Sequence, residues 1–121
     1  MRIPGLDHPI ATEPSRKRVR VTFAGTVIAD TARALTLREA SLRPVQYIPR
    51  EDVNFHALTR TDHATHCPYK GDATYFTIAV NGRAAENAVW SYEEPFPAVA
   101  EIAGRLAFYP GRVDSIEELP A

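Results

Sequence analysis

Hydrophobic and polar residues alternate along much of this chain, which is the pattern of half-buried β-strands. In residues 18–23 the apolar side chains of Val19, Val21 and Phe23 alternate with polar ones. Further segments show the same alternation or a short apolar run between turn residues. These predicted strands are residues 26–29, 34–39, 45–48, 73–80, 83–92 and 106–109. Strands at such short intervals predict a mainly β fold, built of twisted antiparallel sheets or an open barrel.

Turn signals and one helical pattern complete this outline. Asn81-Gly82 is the dipeptide best suited to a type I′ hairpin, because both residues tolerate positive φ. A single short helix is expected near residues 95–103. Pro95 can open it, apolar residues then fall on one stripe, and Gly104 can end it.

Three segments lack any periodicity. Residues 1–17 contain three prolines, which remove backbone donors and fix φ, so we expect an extended N-terminal arm without regular structure. Residues 59–70 are expected to form a loop, and the acidic tail from Ser115 is expected to fray. Residues 18–121 would then be a single β-rich domain.

Charge and composition exclude several classes of function. The chain has 121 residues and a net charge of −1, so no overall field draws it to nucleic acid or anionic lipid. No apolar run approaches the ~18–20 residues of a membrane span, and the N-terminus lacks a signal-peptide pattern. The one cysteine allows no internal disulfide and no zinc site of paired cysteines, and it suits a reducing cytosol. We therefore expect a soluble, cytoplasmic protein without a cofactor.

Reactive groups concentrate in residues 63–71, where two histidines, the only cysteine and a lysine lie on an expected turn. A cation or imidazole close to Cys67 would lower its pKa and favour a nucleophile, whereas a free cysteine is also a common buried residue. If the segment is extended, His63 and Cys67 lie ~13 Å apart, so a dyad would need a tight turn. Lys70 beside Gly71 could hold an anion.

Two acids are candidates for proton transfer. Asp52 could serve as a general acid or base, or it could cap the helical turn expected in residues 52–58. Glu86 lies in a predicted strand, where a buried carboxylate needs a partner such as Arg83 or Arg18. Cys67, Lys70 and Asp52 are thus the candidate catalytic residues.

Aromatic and imidazole side chains could line a pocket, although aromatic residues on a sheet face also serve as core. Each tyrosine hydroxyl and the indole N–H needs a hydrogen-bond partner. The histidine pair lacks a third and fourth metal ligand unless His56 joins it, so no metal site is expected. The candidate ligand-binding residues are Tyr47, His63, His66, Tyr75, Glu86, Trp90 and Tyr92.

Four blocks in order resemble a known bacterial family. They are residues 47–53 (YIPREDV), 65–75 (THCPYKGDATY), 86–95 (ENAVWSYEEP) and 102–109 (IAGRLAFY). Together they closely resemble the family catalogued as domain of unknown function 427, over roughly residues 18–118 of this chain.

The resemblance implies a small β-rich fold of the β-tent group, which includes methionine sulfoxide reductase B and several zinc-binding modules. This chain lacks the paired cysteines of those relatives. The family has sometimes been labelled among nucleotidyltransferases, but an Asp-x-Asp pair for magnesium is absent here. Glu93-Glu94 and Glu117-Glu118 would point apart in an extended chain. In several members an aromatic residue follows the late Val-Asp, where this chain has Ser115.

The sequence therefore predicts a small-molecule-binding β domain that could be catalytic. Its pocket would be formed by the turn of residues 65–71 and the strand that carries Trp90. One alternative is a thiol-dependent enzyme that uses Cys67. Another is a protein-interaction or scaffolding module, which could form a homodimer through a sheet edge. Binding to nucleic acid or to a membrane is not expected.

Overall fold

The computed structural model describes residues 1–121, which form three antiparallel sheets. The strands are β1 Ile10–Pro14, β2 Arg18–Phe23, β3 Thr26–Thr31, β4 Leu35–Glu39, β5 Val45–Tyr47, β6 Leu58–Cys67, β7 Gly71–Val80, β8 Arg83–Ser91, β9 Ala107–Phe108 and β10 Ser115–Leu119. Sheet I has the strand order β1–β4–β5, sheet II the order β10–β2–β3 and sheet III the order β6–β7–β8–β9.

The predicted mainly β class is confirmed, and the sheets stay open rather than closing into one barrel. Each strand predicted from alternation is present, with ends shifted by at most two residues. The turn between β7 and β8 has φ of 52° at Asn81 and 75° at Gly82, as the type I′ prediction requires.

The expected helix is present as the 3₁₀ segment Pro97–Ile102. Val99 departs from helical geometry at φ −127°, so the segment is two short turns joined by a kink. The kink still places the side chains of Val99 and Ile102 in the interior. Shorter 3₁₀ turns are Arg50–Asp52, Phe55–Ala57 and Pro110–Arg112. No helix is long and apolar enough to cross a membrane.

Three expectations of irregular structure are wrong. Ile10–Pro14 of the N-terminal arm pairs with β4, most of the expected loop is the long edge strand β6, and the expected frayed tail pairs with β2 as β10. All three strands lie at sheet edges and bury few side chains. They therefore lack a hydrophobic period, and backbone pairing with a distant strand decides their conformation.

Sheet III separates two apolar clusters because side chains alternate across it. Phe76 and Val89 face the first cluster, which sheet II covers with Val19 and Val21. Tyr75 and Trp90 face the second, where they meet one face of sheet I and the 3₁₀ segment Pro97–Ile102. Each fully buried apolar side chain contributes about 1.5–3 kcal/mol. Sheets I and II therefore pack against opposite faces of sheet III.

Candidate ligand-binding cleft

A cleft of ≈ 990 Å³ lies between sheets I and II. Alternation in β4 creates its first wall: Leu35 and Leu37 turn to the second apolar cluster, so Thr36 and Arg38 turn to the cleft. The opposite wall comes from sheet II, and an aromatic end wall comes from sheet III and the residues after it. The lining includes Glu13, Thr36, Arg38 and Gln46 on sheet I, Val19, Val21, Ile116 and Glu118 on sheet II, and Trp90, Phe108 and Tyr109 at the end.

The sheet I wall is polar. The Thr36 hydroxyl donates a 2.9 Å hydrogen bond to Oε1 of Gln46, and the guanidinium of Arg38 donates a 3.0 Å bond to Glu13. The side-chain nitrogen of Gln46 donates to no other protein atom. Both N–H donors of this amide thus remain free in this wall.

Positive charge surrounds the cleft. Arg16 and Lys17 line it from the β1–β2 connection, and Arg43 lines it from the β4–β5 connection. None of these three cations forms an ion pair, whereas Arg38 is neutralised by Glu13. Glu118 is the one lining acid without an ion-pair partner. The cleft thus carries a surplus of positive charge in a chain whose net charge is −1.

Hydroxyl groups stand behind the aromatic end wall. The Trp90 ring lies 4.4 Å from the Tyr109 ring, and its indole N–H donates to the Tyr47 hydroxyl at 3.3 Å. The Tyr109 hydroxyl lies 3.3 Å from that of Tyr75, which is 2.9 Å from the Thr65 hydroxyl. Burial, with the bond to Tyr75, raises the pKa of Tyr109 to about 12. Burial also raises the pKa of Tyr47, so both hydroxyls stay protonated near neutral pH.

The structure thus brings part of the predicted ligand-binding set together. Trp90 lines the cleft, Tyr47 and Tyr75 are hydrogen-bonded to its end wall, and no residue of 63–75 lines it. Tyr92 is buried in the second apolar cluster, where burial raises its pKa.

His63 and Glu86 lie in a second, smaller pocket of ≈ 400 Å³ with Asn87 and Arg112. Irregularities in β6 and β8, on either side of β7, create it: pairing breaks between Arg60 and Ala64 and around Asn87, whose φ is 50°. The His63 ring contacts the Tyr75 ring at 4.5 Å.

Lys70 is the most buried of the candidate catalytic residues and is already paired. Its ammonium group donates to Glu39, whose other oxygen lies 2.7 Å from Nε2 of His8. Lys70 and Glu39 are each only 8% exposed, and the ammonium lies 5.9 Å from the Tyr92 ring. Burial alone would raise the pKa of Glu39, but the bonds to Lys70 and His8 outweigh it and lower that pKa. The lysine that was predicted to bind an anion thus binds a carboxylate of its own chain.

Cys67 and His66 end the extended strand β6. Cys67 is half-buried and packs against the second apolar cluster. His66 is exposed, with Nδ1 2.7 Å from Asp72. Because the backbone is a strand rather than a tight turn, the geometry does not favour a dyad of His63 and Cys67.

The structure corrects the capping role expected for Asp52 and the arginine partners suggested for Glu86. Asp52 ends a 3₁₀ turn and accepts hydrogen bonds from Thr31 at 2.7 Å and Arg33 at 3.3 Å. It does not cap the following turn, whose N-cap is Asn54. The suggested partners of Glu86 are engaged elsewhere: Arg83 pairs with Asp114 and Arg18 with Asp30. Glu86 is exposed and needs no partner.

Several lining residues were not singled out from the sequence. Thr36, Gln46 and Arg43 lie in or beside predicted strands with no unusual pattern, and Tyr109 ends an apolar run. Their alternation predicts a shared face, but not which sheet lies opposite. No group of three or more His, Cys, Asp or Glu side chains is arranged to hold a metal ion.

Comparison with known proteins identifies the family. The family model NTP_transf_9, described as a domain of unknown function (DUF427), matches residues 11–119. The chain therefore belongs to this family, as the four sequence blocks predicted. A search of curated proteins gives no match. The family match includes nearly all of β1 and the whole of β10, the two edge strands that flank the cleft.

Proposed function

We propose that this protein is a small-molecule-binding domain whose ligand lies in the cleft between sheets I and II. The observation that carries the proposal is the contrast between the two cleft walls. The sheet II wall is apolar, with the half-buried Ile116 beside the fully buried Val19 and Val21. The sheet I wall offers hydroxyl, amide and guanidinium groups. Ligand sites typically have a mostly apolar lining, a few oriented polar groups and a volume of roughly 300–1,000 Å³.

This proposal moves the expected pocket away from the turn of residues 65–71. Lys70 is held by Glu39, and Cys67 packs against apolar side chains. Tyr75 supports the proposal indirectly, because its hydroxyl holds that of Tyr109 at the end of the cleft. We place this function in the cytoplasm, since a lone cysteine suits a reducing compartment.

A thermal-shift screen with nucleotides, organic acids and sugars tests the proposal on three proteins. They are the wild type, Ile116→Trp, which fills the cleft, and the matched control Glu117→Trp on the solvent side of the same strand. A ligand at 100 times its Kd stabilises a protein by about 2.7 kcal/mol. We expect that gain in the wild type and the control but not in Ile116→Trp.

Two outcomes would overturn the proposal. Equal stabilisation of Ile116→Trp would move the ligand to another site. If no compound in the screen stabilises the wild type, the scaffolding alternative is favoured. Size-exclusion chromatography with light scattering would then test whether the protein forms a dimer.

A further inference from the structure

We propose that the ligand of this cleft is an organic anion, a carboxylate or phosphate group carried on an apolar body. This inference rests on the proposed function and adds the chemical class of the ligand. It follows from the charges that the protein leaves without partners and from where the apolar lining lies.

The unpaired cations indicate the charge of the ligand. Elsewhere on this chain most arginines are neutralised by carboxylates, as Arg18 is by Asp30, Arg60 by Glu93 and Arg83 by Asp114. Around the cleft, by contrast, Arg16 and Lys17 stand at one end of sheet I and Arg43 at the other, all without an acid partner. Walls of low dielectric constant focus the field of such charges into a cleft.

Hydrogen bonds in the segment that carries Arg16 and Lys17 also support an anionic ligand. The Ser15 hydroxyl donates a 3.2 Å bond to the Lys17 carbonyl and accepts a 3.1 Å bond from the Lys17 backbone N–H. The Ser15 backbone N–H also donates to the Ala34 carbonyl at 2.9 Å. The connection that carries Arg16 and Lys17 is therefore anchored to sheet I, which lowers the ordering cost when these cations bind an anion.

The remaining lining indicates an apolar body. The apolar side chains that the cleft leaves partly exposed include Ile116 on β10 and Trp90 and Tyr109 at the end wall. Val19 and Val21 on β2 are already fully buried. A hydrophilic anion such as inorganic phosphate would leave the half-buried side chains partly exposed to water. A ligand with both parts covers the sheet II wall with its body and reaches a guanidinium group with its head.

Four probes with the same phenylbutyl body and different heads test the inference: phenylbutyrate, phenylbutyl phosphate, phenylbutanol and phenylbutylamine. Trp90 is the only tryptophan and lines the cleft, so quenching of its fluorescence reports occupancy. We expect both anions to bind about fivefold or more tightly than the alcohol, and the amine to bind most weakly. Added salt should weaken only the anions.

Single Arg→Gln variants locate the anion. Arg43→Gln and Arg16→Gln are tested separately, and at least one should reduce anion affinity about fivefold while leaving phenylbutanol unchanged. Arg2→Gln removes the same charge from an exposed residue outside the cleft and should change neither.

The outcomes separate this inference from the proposed function. If the acid and the alcohol bind equally, and Ile116→Trp blocks both, the ligand class is wrong and the proposed function stands. If none of the four probes quenches Trp90, the ligand class is wrong, and the thermal-shift screen decides the proposed function separately. If the anions bind but neither Arg43→Gln nor Arg16→Gln weakens them, the assignment of the cations is wrong.

Discussion

Replacing Lys70 with methionine should destabilise the protein by about 3 kcal/mol. The change leaves Glu39 in the interior without its ammonium partner, and both side chains are only 8% exposed. Removing one member of a buried ion pair costs about 3–5 kcal/mol. We expect the lower end of that range, because His8 still lies 2.7 Å from the other carboxylate oxygen.

Urea unfolding at neutral pH measures this loss, and a thermal melt should show a Tm lower by roughly 10 °C. Arg38→Met is the matched control on strand β4. It breaks the ion pair with Glu13, in which both side chains are 59% exposed, so it should cost much less.

A double-mutant cycle tests the physical reason. Glu39→Leu with Lys70→Met removes both charges and should recover part of the stability lost by Lys70→Met alone, since the site then holds only apolar groups. The reasoning would be refuted by a loss below about 1 kcal/mol for Lys70→Met, or by additive costs in the cycle.

Three further predictions concern acid stability, the backbone and the thiol. The folded pKa of Glu39 lies below its ordinary value of 4.5, so its contribution is complete above that pH and is lost as pH falls through the folded pKa. The stability gap between wild type and Glu39→Gln should therefore narrow in acid, and a constant gap would contradict this. Gly71→Ala should cost about 1–3 kcal/mol, because φ there is 111°, a backbone conformation that residues with a side chain rarely adopt. Gly111→Ala, with open space and no positive φ, should be nearly neutral in the same melt. Cys67, half-buried against apolar side chains, should react with iodoacetamide more slowly in the folded protein than in urea; a faster folded-state reaction would favour the thiol-dependent enzyme.

Strands with one buried face could be predicted from the sequence, because side-chain alternation is a local property. Val19, Val21 and Phe23 reveal β2 in any context, and Asn81-Gly82 specifies the hairpin after β7 through its own φ preferences. The helical segment was placed correctly, but its 3₁₀ geometry with a kink at Val99 was not predicted.

The tertiary structure alone decided which distant residues meet. Strands β1, β6 and β10 form because a neighbouring strand offers backbone hydrogen-bond partners. No alternation of hydrophobic and polar residues predicts them. Lys70 pairs with Glu39, which is 31 positions away in the chain. A residue that the sequence suggests as a ligand-binding lysine is therefore part of the interior. The cleft lies between sheets I and II, and their placement on opposite faces of sheet III depends on packing between side chains far apart in the sequence.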